Sequence, residues 1–295
     1  IVISNNQSKD STDVDIKYFQ NNNIEINIQY FLQIENIGLE KNALFVLKEA
    51  KGNFVMYLGD DDYMDYQYLK ETITTIEMEK LLTCIIPSNC PVNTQGHEQN
   101  YNKYKGRDLN LPNRMYKAGF YNCLSNSWRG HQLSGLVFKR EGLIDEYHER
   151  NINNIYPFIF MVAYNSLRGK TLHLTQYPLK ITVVDQHNKD WDYTADGLIV
   201  NIYDNYKKLK LNYIYRNILQ LALLINQKWR YLKPIRLSTL IMFYKSMYII
   251  VTSRSTLFGT KLFAALIMQF YLLNHLIPIV PKMKYQLKKI INIFN

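Results

Sequence analysis

The chain has little of what builds stapled, repetitive or membrane-spanning architectures. Its three cysteines, Cys84, Cys90 and Cys123, are odd in number and lack C-x-x-C spacing. That argues against a disulfide framework or a zinc knuckle and points to a reducing compartment. Twelve glycines and eight prolines exclude collagen-like and Gly/Pro low-complexity structure. No self-similar period of about 20–50 residues marks a repeat protein. Long apolar runs are missing too. The longest candidate, residues 257–280, is broken by Lys261, Asn274, His275 and Pro278, short of the roughly 18 uninterrupted apolar residues of a convincing spanning helix. The opening Ile1-Val2-Ile3 has neither the basic region nor the long apolar region of a secretory signal. Acid is almost absent from the last third: residues 201–295 hold 15 Lys and Arg but one acidic residue, Asp204.

That scarcity divides the molecule. The formal charge of +10 resolves into −4 over residues 1–200 and +14 over residues 201–295. A nucleic-acid partner would draw on this charge and on the 24 tyrosines. No RNA- or DNA-binding motif accompanies them and the first two thirds are acidic, so no nucleic-acid partner is expected. An apolar fraction of 47% over 295 residues suffices for a large core.

Along residues 1–200 the pattern alternates. Ile1–Ile3 is a short apolar run halted by the polar turn 4–8, a strand entering a loop. A helix is expected from Thr12 to Phe19. The period-2 series Ile24, Ile26, Ile28, Tyr30 predicts a strand. Leu39, Ala43, Val46, Leu47 and Ala50 follow helical spacing, with Gly52 expected as a left-handed cap. Strands are expected at 54–58, 84–86 and 135–138, with helices around 69–76 and 156–167. Residues 88–129 read as a long polar substrate-side loop. Such alternation predicts an α/β fold, a mainly parallel sheet flanked by helices. Ligands of such sheets bind at the carboxyl ends of the strands, which puts the turns 4–8 and 59–62 at one edge.

Three consecutive aspartates, Asp60, Asp61 and Asp62, end the strand at 54–58. Like charges so placed call for a cation or hydrogen-bond donors. Carboxylates suit Mg²⁺ or Mn²⁺ bridging substrate phosphates; a solvated loop or helix N-cap is the other reading of the same residues.

Here the residues support a resemblance. Ile1 to Thr12 (IVISNNQSKDST), Asn36-Ile37-Gly38 with Asn42, and Ala50 to Tyr63 (AKGNFVMYLGDDDY) together resemble family 2 glycosyltransferases of the GT-A (Rossmann-like) fold. Within them the chain is most similar to the abequosyltransferase-type enzymes of bacterial surface polysaccharide synthesis. The resemblance spans about residues 1–185. It implies a glycosyltransferase domain over residues 1–200 whose first strand would precede Ile1. It implies nucleotide-sugar contacts from Ser4, Asn5, Asn6, Ser8, Lys41, Asn42, Asp60 and Asp61. It also implies a Mn²⁺ or Mg²⁺ ion held by Asp60 and Asp62. The family usually carries Asp at one or both of the positions of Asn5 and Asn6, so Asn5 is a departure.

Inverting transfer needs a proton acceptor for the attacking hydroxyl. Asp145 is chosen among Glu141, Asp145, Glu146 and Glu149. Trp128 and His131, with Arg129 between them, are candidates for the acceptor pocket, since aromatic rings suit sugar faces. His187 is weighed as a further metal or phosphate contact against an ordinary surface histidine. Residues 201–295 read as a helical, basic and apolar C-terminal region, either lying on an anionic membrane surface or packed on the first domain. The expected partners are a nucleotide sugar, a polyprenyl-diphosphate-linked glycan acceptor and that membrane surface. The expected location is peripheral, at the cytoplasmic face of a bacterial inner membrane.

Overall fold

A computed structural model describes residues 1–98, 111–183, 198–226 and 237–276. The strands are β1 (Val2–Asn5), β2 (Gln29–Leu32), β3 (Phe54–Met56), β4 (Leu82–Val92), β5 (Arg114–Tyr116), β6 (Val137–Lys139) and β7 (Lys170–Thr182). Between them lie α1 (Thr12–Asn22), α2 (Leu39–Glu49), α3 (Tyr66–Met78), α4 (Phe120–Asn126), α5 (Leu143–Glu149) and α6 (Pro157–Arg168). A 3₁₀ turn at Ser127–His131 follows α4. Beyond β7 the elements of the described residues are helices: α7 (Leu198–Lys208), α8 (Tyr213–Asn226), α9 (Leu237–Thr252) and α10 (Phe258–Leu276).

β1 and β2 pair in parallel, and the other five strands form one sheet in the order β3-β6-β4-β7-β5. β4 and β7 are parallel, β6 opposes β3 and β4, and β5 opposes β7. β3, β4 and β7 therefore share a direction, and their carboxyl ends make one edge. α3 covers one face of this sheet through Tyr68, which packs with Leu82, Ile85 and Val137. α6 covers the other.

α6 shows how the two compositional halves meet. It is apolar nearly all round, as only a fully enclosed helix can be. Phe158, Met161 and Val162 face Tyr57, Leu136 and Phe138 on the sheet side. Ile159, Phe160 and Ala163 share a cluster with Tyr203, Leu223, Phe243 and Ala264 from α7 to α10. Polar joints are closed as burial requires. Asn205 Nδ2 donates to Tyr156 O at 2.9 Å, and Ser127 Oγ lies 2.9 Å from Tyr206 Oη. The C-terminal helices are thus packed on the α/β core.

Three local expectations need correction. The second strand is Gln29–Leu32 rather than 24–30. It can extend only as far as its four-residue partner β1, so Ile24 lies outside the ladder, 88% exposed. Gly52 is not left-handed: α2 ends at Ala50 with ordinary extended geometry. The strand expected at 84–86 continues to Val92 through Pro87 and Pro91, with a register shift at Pro87/Asn89; a bulge is where a strand tolerates a residue with no N–H. The described part of the expected loop 88–129 accordingly holds the end of β4, β5, α4 and the 3₁₀ turn.

Candidate functional site

The aspartate loop leaves β3 at the carboxyl edge and is pinned from two sides. Tyr63 exchanges both backbone bonds with Lys180 of β7, at 2.9 and 3.0 Å. Ser134, buried in the turn before β6, accepts from Gly59 N at 2.8 Å and donates to Asp62 Oδ2 at 2.5 Å. Thr182 N donates to Asp62 Oδ1 at 2.9 Å. The Thr182 hydroxyl donates to Asp61 O. The half-buried Asp62 carboxylate is therefore held at both oxygens by neutral donors, Oδ2 accepting also from Gln132 Nε2 at 3.5 Å, while Oδ1, with one donor, retains a lone pair for a ligand. Asp60 and Asp61 are exposed. A Cβ built on Gly59 would lie 3.3 Å from both Asp61 Oδ1 and Asp62 Oδ2, so these two carboxylates converge beside a residue without a side chain.

Among the described residues no group of three or more His, Cys, Asp or Glu could hold a metal ion. Two converging carboxylates still fit Mg²⁺ or Mn²⁺, which commonly keep water and substrate phosphates as their remaining ligands. The pair the geometry joins is Asp61 and Asp62; the sequence had suggested Asp60 and Asp62.

The asparagine-rich turn after β1 is built differently. Asn5 is buried; its Nδ2 donates to Tyr30 Oη at 3.1 Å, and its Oδ1 accepts from Ser8 N at 2.8 Å. Tyr30 Oη donates in turn to Asp13 Oδ1 at 2.9 Å. Asp13 is held below the usual carboxylate range by Lys17 first and Tyr30 second. This chain of bonds explains the departure at Asn5: a carboxylate could not donate to Tyr30 and would stand near a second carboxylate. Asn6 Nδ2 donates to Asn36 Oδ1, and Asn6 Oδ1 accepts from Ile37 N, both at 2.9 Å. Ser4 Oγ donates to Asn42 Oδ1 at 2.6 Å and accepts from Gln33 at 2.9 Å. Ser4, Asn5, Asn6 and Asn42 are thus brought together, with their polar groups engaged mostly with one another. Ser8 and Lys41 are exposed beside them.

The 3₁₀ turn carries the acceptor candidates. Trp128 and His131 stack at 5.6 Å with 12° between planes, and the Arg129 guanidinium lies 4.9 Å over the Trp128 ring. Gly130 lets this turn lie directly on the start of α6: a Cβ there would come within 2.4 Å of Phe158 O. Three residues beyond His131, the same segment delivers Ser134 to Asp62, so the stacked rings and the aspartate loop are mechanically continuous. Asp145 is not brought to this group. β6 carries the chain to the opposite edge, where Arg140 N donates to Asn53 O, and Asp145 stands exposed on α5. His187 falls outside the described residues. Gln132, Ser134 and Thr182 were missed in the sequence, where no pattern distinguishes them from ordinary loop and strand-end residues.

Residues 1–132 match the family described as Glycosyl transferase family 2. No curated protein sequence matches significantly. Among solved structures, the chain is similar to S. aureus TarS 1–349, at 15% identity and TM-score 0.57, covering 85% of this chain and 70% of that one. A longer S. aureus TarS gives 16% and 0.58, with 88% and 44% covered. The mannosyltransferase PcManGT from Pyrobaculum calidifontis, in complex with GDP-Man and Mn²⁺, gives 10% and 0.52, with 99% and 75% covered. At such identities the likeness is one of fold, a GT-A-type α/β architecture, and the Glycosyl transferase family 2 description matches its first 132 residues.

Proposed function

We propose that this chain transfers a sugar from a nucleotide-diphosphate donor to a lipid-linked glycan, with inversion, during bacterial surface polysaccharide synthesis. The observation that carries the reading is the Asp62 carboxylate, fixed by Ser134 Oγ and Thr182 N at the carboxyl edge beside Asp61. A structural neighbour is in complex with GDP-Man and Mn²⁺, which supports a diphosphate donor and a divalent ion here. Asp61 and Asp62 would hold that ion, which when bound supplies charge neutralisation for the departing diphosphate.

The chain's own residues do the rest. Ser134 and the Thr182 amide fix the carboxylate in advance, so no reorganisation is spent when the donor arrives. The asparagine turn shapes the nucleotide side through Ser8 and Lys41, its interior amides keeping β1 and β2 in register. The Trp128–His131 stack, with the Arg129 guanidinium over the Trp128 ring, offers an aromatic and cationic surface to a sugar. Asp145, chosen from sequence as the proton acceptor, stands at the opposite edge of the sheet and takes no part in this site; Asp145→Asn is expected to keep full transfer, and a loss of transfer in that variant would return it to the mechanism. A lipid-linked acceptor of the polyprenyl-diphosphate type would place the reaction at the cytoplasmic face of the inner membrane.

The decisive test is a screen of nucleotide sugars for thermal stabilisation that depends on Mn²⁺ or Mg²⁺, since a ligand bound only by the native state raises stability. Stabilisation by one donor, lost in Asp62→Ala, is expected. Metal-dependent donor binding that survives Asp62→Ala would overturn the assignment.

A further inference from the structure

Among the described residues, the C-terminal helices leave one end of their bundle uncovered. On α10, Phe258, Leu262 and Leu266 recur every fourth residue and are 71%, 52% and 56% exposed, while Thr260 and Ala264 on the other side are fully buried. α10 therefore lies along the protein with one face turned in and an apolar face turned out. Its start adjoins the start of α8: Phe258 N donates to Tyr213 Oη at 3.2 Å, and a Cβ on Gly259 would come within 2.9 Å of Asn217 Oδ1. Tyr213 and Ile214, the latter 67% exposed, extend the same uncovered end.

Cations rim it. Lys207 Nζ donates to Arg254 O at 2.6 Å, which sets the turn between α7 and α8 against the turn between α9 and α10. Each turn carries an exposed cation, Lys210 and Arg254. Asp204, the one acidic residue after position 200, is paired with Lys208 at 2.6 Å. Large apolar side chains in a field of one sign are a poor face for water and for a second copy of an equally cationic surface. They suit an interface that is apolar inside and anionic outside. We infer that this end of the helical bundle, Tyr213, Ile214, Phe258, Leu262 and Leu266 with Lys210 and Arg254, is the surface by which the protein rests on anionic lipid. The inference deepens the membrane location proposed above and is independent of the chemistry at the aspartates.

Co-flotation of the full chain with vesicles tests it. Binding to phosphatidylcholine vesicles containing phosphatidylglycerol is expected, with little binding to phosphatidylcholine alone and loss at high salt. Phe258→Ser with Leu262→Ser should weaken it about tenfold. Lys210→Glu and Arg254→Glu should each weaken it about fivefold. Ile24→Ser, an exposed apolar position elsewhere, should leave it unchanged. All these sites are exposed, and thermal unfolding of each variant verifies its fold. No binding to the anionic vesicles, or binding that survives the four substitutions, overturns the inference. So does self-association seen by light scattering and lost in the double serine variant, without vesicle binding; that would make the face a contact between copies. Metal-dependent donor binding, measured without lipid, reports separately on the aspartate loop, so the two readings fail separately.

Discussion

Two polar turns flank the same architecture, one after β1 and one after β3, and they use their side chains in opposite ways. In the asparagine turn, amides and hydroxyls satisfy one another: Asn6 meets Asn36, Asn5 meets Tyr30, Ser4 meets Asn42. In the aspartate loop, neutral donors from distant segments hold one carboxylate, while Asp61 and Asp60 stay at the surface. The difference teaches that polarity at a strand end does not by itself identify a ligand contact. A group whose hydrogen bonds are closed within the protein serves the fold; a group held in place with capacity left over serves a ligand.

Substitutions can break this contrast. Asp62→Ala should lower sugar transfer by about 10²–10³-fold, because it removes a pre-oriented charge, and should cost about 2 kcal/mol of stability through the buried donors of Ser134 and Thr182 left without their partner; donor-turnover assays beside thermal unfolding measure both. Gly130→Ala meets backbone at Phe158 and should destabilise by about 3 kcal/mol, read by denaturant titration, since neither the turn nor the first turn of α6 can yield cheaply. Asn5→Ala should cost stability, about 2 kcal/mol, by leaving Ser8 N and Tyr30 without their partner, whereas donor affinity per folded molecule should hardly move. A large loss of donor affinity with unchanged stability would reverse the contrast. Ser134→Ala frees Asp62 Oδ2 without removing the charge, and about a tenfold fall in transfer is expected in the same assay.

The smallest effect belongs outside both turns. Burial pushes the Cys123 thiol up to about 12 and raises Cys84 further still. At neutral pH both stay protonated and covered, so a thiol reagent should modify them only after denaturant is added.

Much of the fold was legible because it rests on period and punctuation. The helices at 12, 39 and 157 and the strands at 2 and 54 begin where apolar spacing and turn residues place them. What stayed hidden has particular causes. Period-2 spacing at Ile24 and Ile26 means nothing without a partner strand to pair with. Pro87 ended the expected strand, but a bulge carries the chain past it. α4 escaped notice because its inward face includes Asn122 and Asn126: Asn122 Nδ2 donates to Ser166 O, Gly169 O and Thr171 Oγ1, and Asn126 Nδ2 donates to Asn122 Oδ1. At the site, the acidic run was visible as chemistry. The donors that orient it come from positions 72 and 120 residues away in sequence, a relation only folding creates.

The bond from Thr182 N to Asp62 has an evolutionary consequence. Its donor is main chain, so every residue but proline at position 182 supplies it. Drift there can erase the hydroxyl that reaches Asp61 O, yet the orientation of the carboxylate is inherited with the course of β7 itself. Ser134 offers no such protection, since its donor is a side chain that one mutation removes. Lineages of this protein should therefore tolerate at 182 other residues that fit its buried site, short of proline, and vary sparingly at 134.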